Sequence, residues 1–178
     1  MKKTLIIIGI VLSIFLMIGI KFATTSNRVV TLEEQIKESN SAIKVQEKRR
    51  VDLIINLVDT VKSYNKYEQE TLTNIVEARS KALDGKVEEA EELINVVVEK
   101  YPELKSNENY KQVMTEMSVT ENLIAEYREN YNDQVKSYNK YVRKFPNNII
   151  LGMMGYEKVK YTYLDYNVSQ DAPTNLWD

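Results

Sequence analysis

The sequence has no cysteine and no histidine, and it has little glycine or proline. Without cysteine there is no disulfide, thiolate nucleophile or Cys-ligated zinc. Without histidine the chain lacks the commonest general base near neutral pH and the commonest metal ligand. Five Gly and three Pro among 178 residues favour long helices over many short strands. These absences predict an all-α protein that holds no metal and no cofactor.

An excess of charge of one sign is missing too. Lysine and arginine number 24, aspartate and glutamate number 26, and the net charge is −2. No basic field attracts nucleic acid, so no nucleic-acid partner is predicted. The motifs GxSxG, GxxxxGK[ST] and GxGxxG are also absent. Carboxylates alone, such as Glu68 with Glu121, lack a nucleophile or base arrangement, and we predict no enzyme.

The amino terminus carries an uncharged apolar run. As a helix, Thr4–Ile20 spans about 25 Å, slightly short of a hydrocarbon core of about 30 Å. We interpret residues 1–23 as an uncleaved single-pass membrane anchor. A secretory signal is the alternative, although Phe22–Ser26 offers only a weak cleavage site. The basic residues before the run favour an N-terminus inside the cell and a domain outside the cytoplasm.

Helical periodicity continues without Gly or Pro from Ser26 to Leu83. The apolar stripe is narrow over residues 24–49, which suits a stalk or a two-helix seam. It widens between Val51 and Val61, which predicts the centre of a bundle. One helix over residues 26–83 would be about 87 Å long. Either an extended Tyr101–Ser106 segment returns the chain, or the helix breaks near Ser63–Asn65.

Local signals predict the remaining elements. Asp84-Gly85 ends the first helix, a short second helix ends at Lys100–Pro102, and Asn107 caps a long third helix that Phe145-Pro146 stops. Residues 147–155 favour one more short helix. The chain is thus predicted to contain an anchor (1–23), a helical stalk (24–49), an antiparallel up-and-down bundle (50–156) and an irregular Tyr-rich tail (157–178).

Four glutamates open the second helix, where the helix dipole favours carboxylates. They are Glu88, Glu89, Glu91 and Glu92. Because they lie on a helix and not on a coordinating loop, we predict a solvated face and no cation site.

Charged residues interrupt the apolar columns of the long helices. Arg50 lies in the column of Ile36 and Leu57, and Glu68 continues the column of Ile54. Glu121 and Arg128 share a column of the third helix, and Arg79 lies near the end of the first. Two acids and two bases at seam positions predict inter-helix ion pairs that set helix register. The alternative is a groove for a polar ligand or a partner helix.

Tyrosine is abundant, with twelve residues. Tyr131 and Tyr138 fall in the apolar seam, where each buried hydroxyl needs a partner, and the following Asn132 and Asn139 are the predicted partners. The tail tyrosines either pack back onto the bundle or form a partner-binding segment. These are Tyr156, Tyr161, Tyr163 and Tyr166.

A heptapeptide occurs twice, as Val61–Tyr67 and as Val135–Tyr141. Both copies place a tyrosine on the apolar column. We interpret the repeat as two helices that solve the same packing problem, in preference to two equivalent docking surfaces.

The ordered motifs of the chain resemble the LemA family of bacterial membrane proteins over about residues 26–156. Two departures are modest: the second helix is short, and Ile55 stands where a Pro often appears. The motifs are Arg49–Val58, Glu68, Ala78-Arg79, Tyr101–Tyr110, Thr120–Asn122, Arg128, Tyr131-Asn132, Tyr138-Asn139 and Phe145–Asn147.

The resemblance implies an N-terminal membrane anchor, an antiparallel helical bundle and no enzymatic activity. Some relatives organise or shape membranes, and others support membrane protein systems. We expect a membrane-anchored scaffold that contacts lipid through its first helix and binds membrane or envelope proteins through its helical surfaces. The alternatives are a self-assembling coiled-coil protein that pairs along Val29–Val45, and a secreted helical binding module. The expected polar seam comprises Arg50, Asp52, Asn56, Glu68, Arg79, Glu121, Asn122, Arg128, Asn132 and Asn139.

Overall fold

The ordered elements of the chain are helices. Within residues 2–63 and 68–165, which the computed structural model describes, there are five α-helices, one 3₁₀ turn and no strand. The predicted all-α fold is confirmed. The elements are α1 (Lys2–Lys62), α2 (Gln69–Leu83), α3 (Val87–Lys100), the 3₁₀ turn (Pro102–Ser106), α4 (Glu108–Arg143) and α5 (Asn147–Met153).

The long first helix breaks where one of the two predicted arrangements places the break. α1 ends at Lys62 and α2 begins at Gln69. Residues 64–67, which include Tyr64 and complete the first copy of the repeated heptapeptide, lie outside the described residues. The other arrangement, an extended Tyr101–Ser106 segment, is wrong because this segment contains the 3₁₀ turn.

The N-terminal part of α1 is long and apolar enough to cross a membrane. Its most apolar 18-residue window has a mean hydropathy of 2.7, and none of that window is buried. A helix of this length and composition fits a single-pass membrane protein, as predicted.

The chain forms two compact units. Unit 1 comprises Met1–Glu38 with Asn130–Asp178, and unit 2 comprises Ser39–Glu129. The helices α1 and α4 contribute residues to both units.

The core of unit 2 forms where the apolar stripe of α1 widens. Ile54, Val58 and Val61 are fully buried, as the widening predicted. Ala78 of α2 and Ala90 of α3 are also fully buried, so small side chains let these two helices pack closely. Burial of this apolar surface is the main stabilising contribution to the unit.

The narrow stripe of α1 forms a helix seam within unit 1. Leu32 and Ile36 pack against Val135 and Tyr138 of α4, and Leu151 of α5 joins the same core. All five side chains are buried. Leu32 and Ile36 are thus covered within the unit, whereas Val45 is exposed, and the self-assembly alternative along Val29–Val45 stays a prediction.

Local sequence signals set several helix ends. Asn107 Oδ1 accepts the N–H groups of Asn109 and Tyr110 at 2.9 and 3.1 Å, which caps α4. Gly85, at φ 76, ends α2 with the left-handed residue typical of helix C-termini. α4 ends at Arg143, so Phe145 leaves the helical column and is exposed. The predicted stops at Asp84-Gly85 and Phe145-Pro146 are confirmed.

Candidate functional site

An open groove on unit 2 lies between α1, α3 and α4 and encloses about 250 Å³. Its lining combines methionine and leucine side chains with two carboxylates. Flexible Met side chains adapt to different apolar partners, and carboxylates attract a cation. The lining residues are Leu57 of α1, Glu91 and Asn95 of α3, and Met114, Met117, Ser118 and Glu121 of α4.

Arg50 of α1 reaches carboxylates from two other helices beside this groove. Its Nη2 lies 3.1 Å from Oε1 of Glu88 on α3. Its Nε lies 2.6 Å from Oε1 of Glu121 on α4, as an ion-pair contact without hydrogen-bond geometry. The Arg50 side chain is only 21% exposed, so this pairing is the best shielded of the pairs formed by the predicted seam charges. Arg50 thus links three helices and offsets part of the acidic charge of the groove.

Glu91 is the most perturbed acid of the groove. Burial raises the pKa of its carboxyl, and the negative charges of Glu121 and Glu88 raise it further, while Arg50 lowers it. A carboxylate that is both half-buried and surrounded by like charge favours a cationic partner. The prediction that all four glutamates of α3 form a solvated face is wrong for Glu91, because this residue lies beside the apolar face of α3 and faces the groove.

We expect the contribution of Glu91 to the stability of the chain to fall as pH rises from the usual glutamate range of about 4.3 through the raised pKa of Glu91. The folded state binds the proton more tightly than the unfolded state, so the stabilisation is present at low pH and is lost as the carboxyl ionises. Glu91→Gln removes the ionisation and should raise the urea midpoint of the full chain in detergent at neutral pH.

Glu92→Gln is the matched control, since Glu92 is exposed on the same helix. The gain from Glu91→Gln should vanish in acid, where the wild-type carboxyl is also neutral. An equal gain from both variants, or a gain that persists in acid, would contradict the assignment.

The predicted seam charges form ion pairs between elements, but only one pair joins two members of the predicted set. In each of the other pairs, one partner is an acid or base that was not among the predicted seam residues. Most of these side chains are half-exposed, so each pair contributes about 0–1 kcal/mol. Within the described residues the pairs are Arg50–Glu121, Arg50–Glu88, Arg79–Asp59, Arg128–Glu47 and Glu68–Lys100.

Glu68 does not occupy the seam position that its column predicted. Its side chain is 73% exposed, and it accepts a hydrogen bond from Lys100 Nζ at 2.9 Å. The column fails because α1 ends at Lys62, so Glu68 is the N-cap residue of α2 and not a further turn of α1. Tyr101 Oη accepts the Glu68 N–H at 3.4 Å, which joins the start of α2 to the end of α3.

Three further motif residues, Asp52, Asn56 and Asn122, lie exposed on α1 and α4. None of them lines the groove. Their role as interaction residues stays a prediction.

Residues 156–165, which include the described part of the tail, form a strap on unit 1. Asn132 of α4 holds it with two hydrogen bonds: its Nδ2 donates to the Leu164 carbonyl at 3.0 Å, and its Oδ1 accepts the Leu164 N–H at 2.8 Å. Tyr161 packs edge-to-face on Tyr138 with 5.1 Å between ring centroids. Of the two interpretations of the tail tyrosines, the described part therefore packs back onto the helices. Tyr166 lies outside the described residues.

The hydroxyl of Tyr138 finds its partners in this strap. It is hydrogen-bonded to the Tyr156 hydroxyl at 2.7 Å and accepts the Val159 N–H at 2.9 Å. The Tyr156 hydroxyl in turn donates to Glu33, and burial together with these hydrogen bonds raises the pKa of Tyr156. The prediction that Asn139 is the hydrogen-bond partner of the Tyr138 hydroxyl is wrong, because the next residue along a helix points about 100° away from its neighbour.

Sequence reasoning missed the groove because three separate elements form it. Glu91 lies three residues before the buried Ile94 and four after the buried Val87. That spacing places Glu91 at the edge of the apolar face of α3. The spacing was the one signal in the sequence that could have indicated that Glu91 is partly buried.

No group of three Asp or Glu residues that could hold a metal ion occurs in the described part of the chain. The described helices define a class of all-α proteins with one N-terminal helix of membrane-spanning length and composition. The groove, the Arg50 pairs and the strap are the candidate functional features of the described residues.

Comparison with known proteins identifies relatives of the chain. The LemA family model matches residues 39–174, which extends into the Tyr-rich tail. Protein LemA of Metamycoplasma hominis is 29% identical over 136 residues, 70% of this chain and 62% of that protein. Magnetosome protein MamQ 2 of Paramagnetospirillum magneticum is 37% identical over 65 residues, 36% of this chain and 24% of that protein. Magnetosome protein MamQ of Magnetospirillum gryphiswaldense is 34% identical over 65 residues, with the same coverage.

The chain belongs to the LemA family. It spans less than two thirds of the length of the relatives that it matches.

Proposed function

We propose that this protein is a membrane-anchored, non-enzymatic scaffold that holds a helix of another membrane or envelope protein in the groove of unit 2. The groove is the observation that carries the proposal. An amphipathic helix docks by placing its apolar side chains in such a groove, and Leu57, Met114 and Met117 supply the apolar contacts. The anchor restricts the search for partners to proteins at the same membrane.

The charge of the groove selects the chemistry of the partner. Glu91 and Glu121 lie in the lining, and Arg50 offsets only part of their charge. A Lys or Arg on the partner helix would relieve the repulsion that Glu91 experiences. We therefore propose an apolar helix that carries a basic residue within one turn of its apolar face. This proposal develops the alternative, given in the sequence analysis, that the polar seam residues form a groove for a partner helix.

Site-specific photocrosslinking in cells tests the groove. A photoreactive residue at Asn95 of the full chain should capture discrete proteins, and the captured peptides should combine apolar residues with a Lys or Arg. Charge reversal by Glu91→Lys with Glu121→Lys should lower the yield about tenfold, which corresponds to about 1.4 kcal/mol of binding free energy.

The matched control reverses Glu92 and Glu126, which are exposed and do not line the groove. It should leave the yield unchanged. Capture that survives reversal of the groove charges would refute the proposed site. Capture of lipid or of this chain alone would refute the scaffold.

The orientation that we propose places the helical units outside the cytoplasm, because the basic residues before the apolar run favour a cytoplasmic N-terminus. The chain has no native cysteine, so single-cysteine variants label cleanly. With a membrane-impermeant maleimide on intact cells, Lys136→Cys should react and Lys2→Cys should not. The reverse pattern would place the partners among the cytoplasmic domains of membrane proteins.

A further inference from the structure

The short helix α5 and the residues that flank it expose a set of large apolar side chains. Phe145 is 73% exposed, Ile149 52%, Met153 72% and Met154 44%. Ile149 and Met153 are four residues apart and share one face of the helix. Ile150 and Leu151, on the other side, are buried in unit 1. A soluble surface rarely carries so many neighbouring large apolar side chains without a partner.

The position of α5 along α1 identifies what this face meets. A cleft of about 310 Å³ separates α5 from the last turns of the apolar run of α1. The cleft and its lining residues lie within unit 1. It places α5 level with residues 17–22, where the apolar run ends. The lining residues are Met17, Ile18, Lys21 and Phe22 of α1, with Pro146 and Ile150.

The length of the anchor sets the level of the bilayer surface. The run Thr4–Ile20 spans about 25 Å, and a hydrocarbon core is about 30 Å thick. A shortfall of about 5 Å is accommodated when the hydrocarbon thins, when the flanking Lys3 and Lys21 extend their charged ends outward, or when other apolar groups cover the difference. The face of α5 lies at that level and is apolar.

Basic side chains lie near the end of the apolar run and near α5. Lys21 lines the cleft, and Arg143 and Lys144 directly precede Phe145 and are exposed. Lysine and arginine at this depth attract anionic lipid headgroups. Apolar side chains below a basic rim are the composition of helices that lie in a membrane interface.

We propose that Phe145, Ile149, Met153 and Met154 insert into the bilayer surface where α1 leaves the membrane, and that α5 is a second membrane contact. The occupant of this face is lipid, with anionic headgroups at Lys21, Arg143 and Lys144. The inference rests on the membrane anchoring in the proposed function, and it adds a site that fixes unit 1 against the membrane. A lipid-facing element of the same unit thus compensates the mismatch between a short anchor and the bilayer.

Spin-label depth measurements on the full chain test this contact. Single cysteines at Ile149 and Met153 carry a nitroxide in vesicles of phosphatidylcholine with phosphatidylglycerol, and oxygen and a nickel chelate serve as collision partners. Phe15→Cys is the embedded reference. Val30→Cys is the matched reference outside the bilayer, since Val30 is also 52% exposed and lies about 15 Å along α1 beyond Ile20.

The oxygen-to-nickel accessibility ratio at Ile149 and Met153 should resemble that at Phe15 and exceed that at Val30 several-fold. Ratios like that at Val30 would overturn the proposal. Shielding from both collision partners would show a protein occupant, and dipolar broadening between labels would show a second copy; either result overturns it. Nickel access at Phe15 would instead refute the membrane anchor itself, so the two failures are distinguishable.

Discussion

Replacing Tyr138 with alanine is expected to destabilise unit 1 by about 3–5 kcal/mol, the range found when a large buried aromatic side chain is removed. Tyr138 is fully buried. Its ring supports Tyr161, and its hydroxyl bonds the Tyr156 hydroxyl and the Val159 N–H. The variant therefore loses core packing and the anchoring of the strap together. Hydrogen exchange of the full chain in detergent should show faster exchange at Val159 and Leu164.

Tyr138→Phe separates these two contributions. It keeps the ring and removes the hydrogen bonds of the hydroxyl to Tyr156 and to the Val159 N–H, which is expected to cost about 1–3 kcal/mol at about 0.5–1.5 kcal/mol per bond. Tyr163→Ala is the matched control, because Tyr163 is 55% exposed in the same strap. Unchanged exchange at Val159 in Tyr138→Phe would show that the strap does not depend on the hydroxyl.

Replacing Ile54 with alanine is expected to lower the apparent free energy of unfolding of unit 2 by about 2–5 kcal/mol. Ile54 is fully buried at the centre of its core, beside Leu57 and Val58. Truncation removes the transfer free energy of the lost atoms and leaves a cavity in a region that is packed from several helices. Urea unfolding of the full chain in detergent, followed by circular dichroism, measures the loss.

Val45→Ala on the same helix is the matched control. Val45 is 62% exposed, and alanine has the higher helix propensity, so this change should leave the midpoint unchanged or raise it slightly. A small effect of Ile54→Ala, similar to that of Val45→Ala, would contradict the position of the core.

The Arg50 pairs connect stability with the proposed binding. Arg50 holds Glu88 and Glu121 beside the groove, while Glu91 keeps its repulsion with both. The acidic groove is thus only partly compensated within the chain. The remaining charge is a reason to expect a basic partner helix. Burial of the Glu91 carboxyl, together with this charge, explains why Glu91→Gln is predicted to stabilise the free protein.

The sequence alone determined the class of the protein and most helix ends. The apolar run after Lys3 and the cap at Asn107 are continuous stretches of sequence, and the Gly and Pro content is a matter of composition, so no contact between distant segments is needed to predict them. The widening of the apolar stripe at Ile54 predicted a core because burial follows the width of the apolar face. The order of the sequence motifs likewise indicated the LemA family, whose model matches residues 39–174.

The break between α1 and α2 was left open by the sequence. No Gly or Pro marks residues 62–69, so local propensity permits the helix to continue. The hydrogen bond from the Glu68 N–H to the Tyr101 hydroxyl involves residues 33 positions apart. Packing of α2 against α3 favours the break, and such packing is not visible in a local window.

Only the tertiary structure decided where the groove, the strap and α5 lie. The groove needs Leu57, Glu91 and Met114 from three helices, and the strap depends on bonds between Asn132 and Leu164 that span 32 positions. α5 meets the end of the apolar run only because unit 1 unites two distant segments of the chain. Side-chain patterns specify which faces are apolar, but contacts between distant segments decide which faces are covered and which remain exposed to a partner or to lipid.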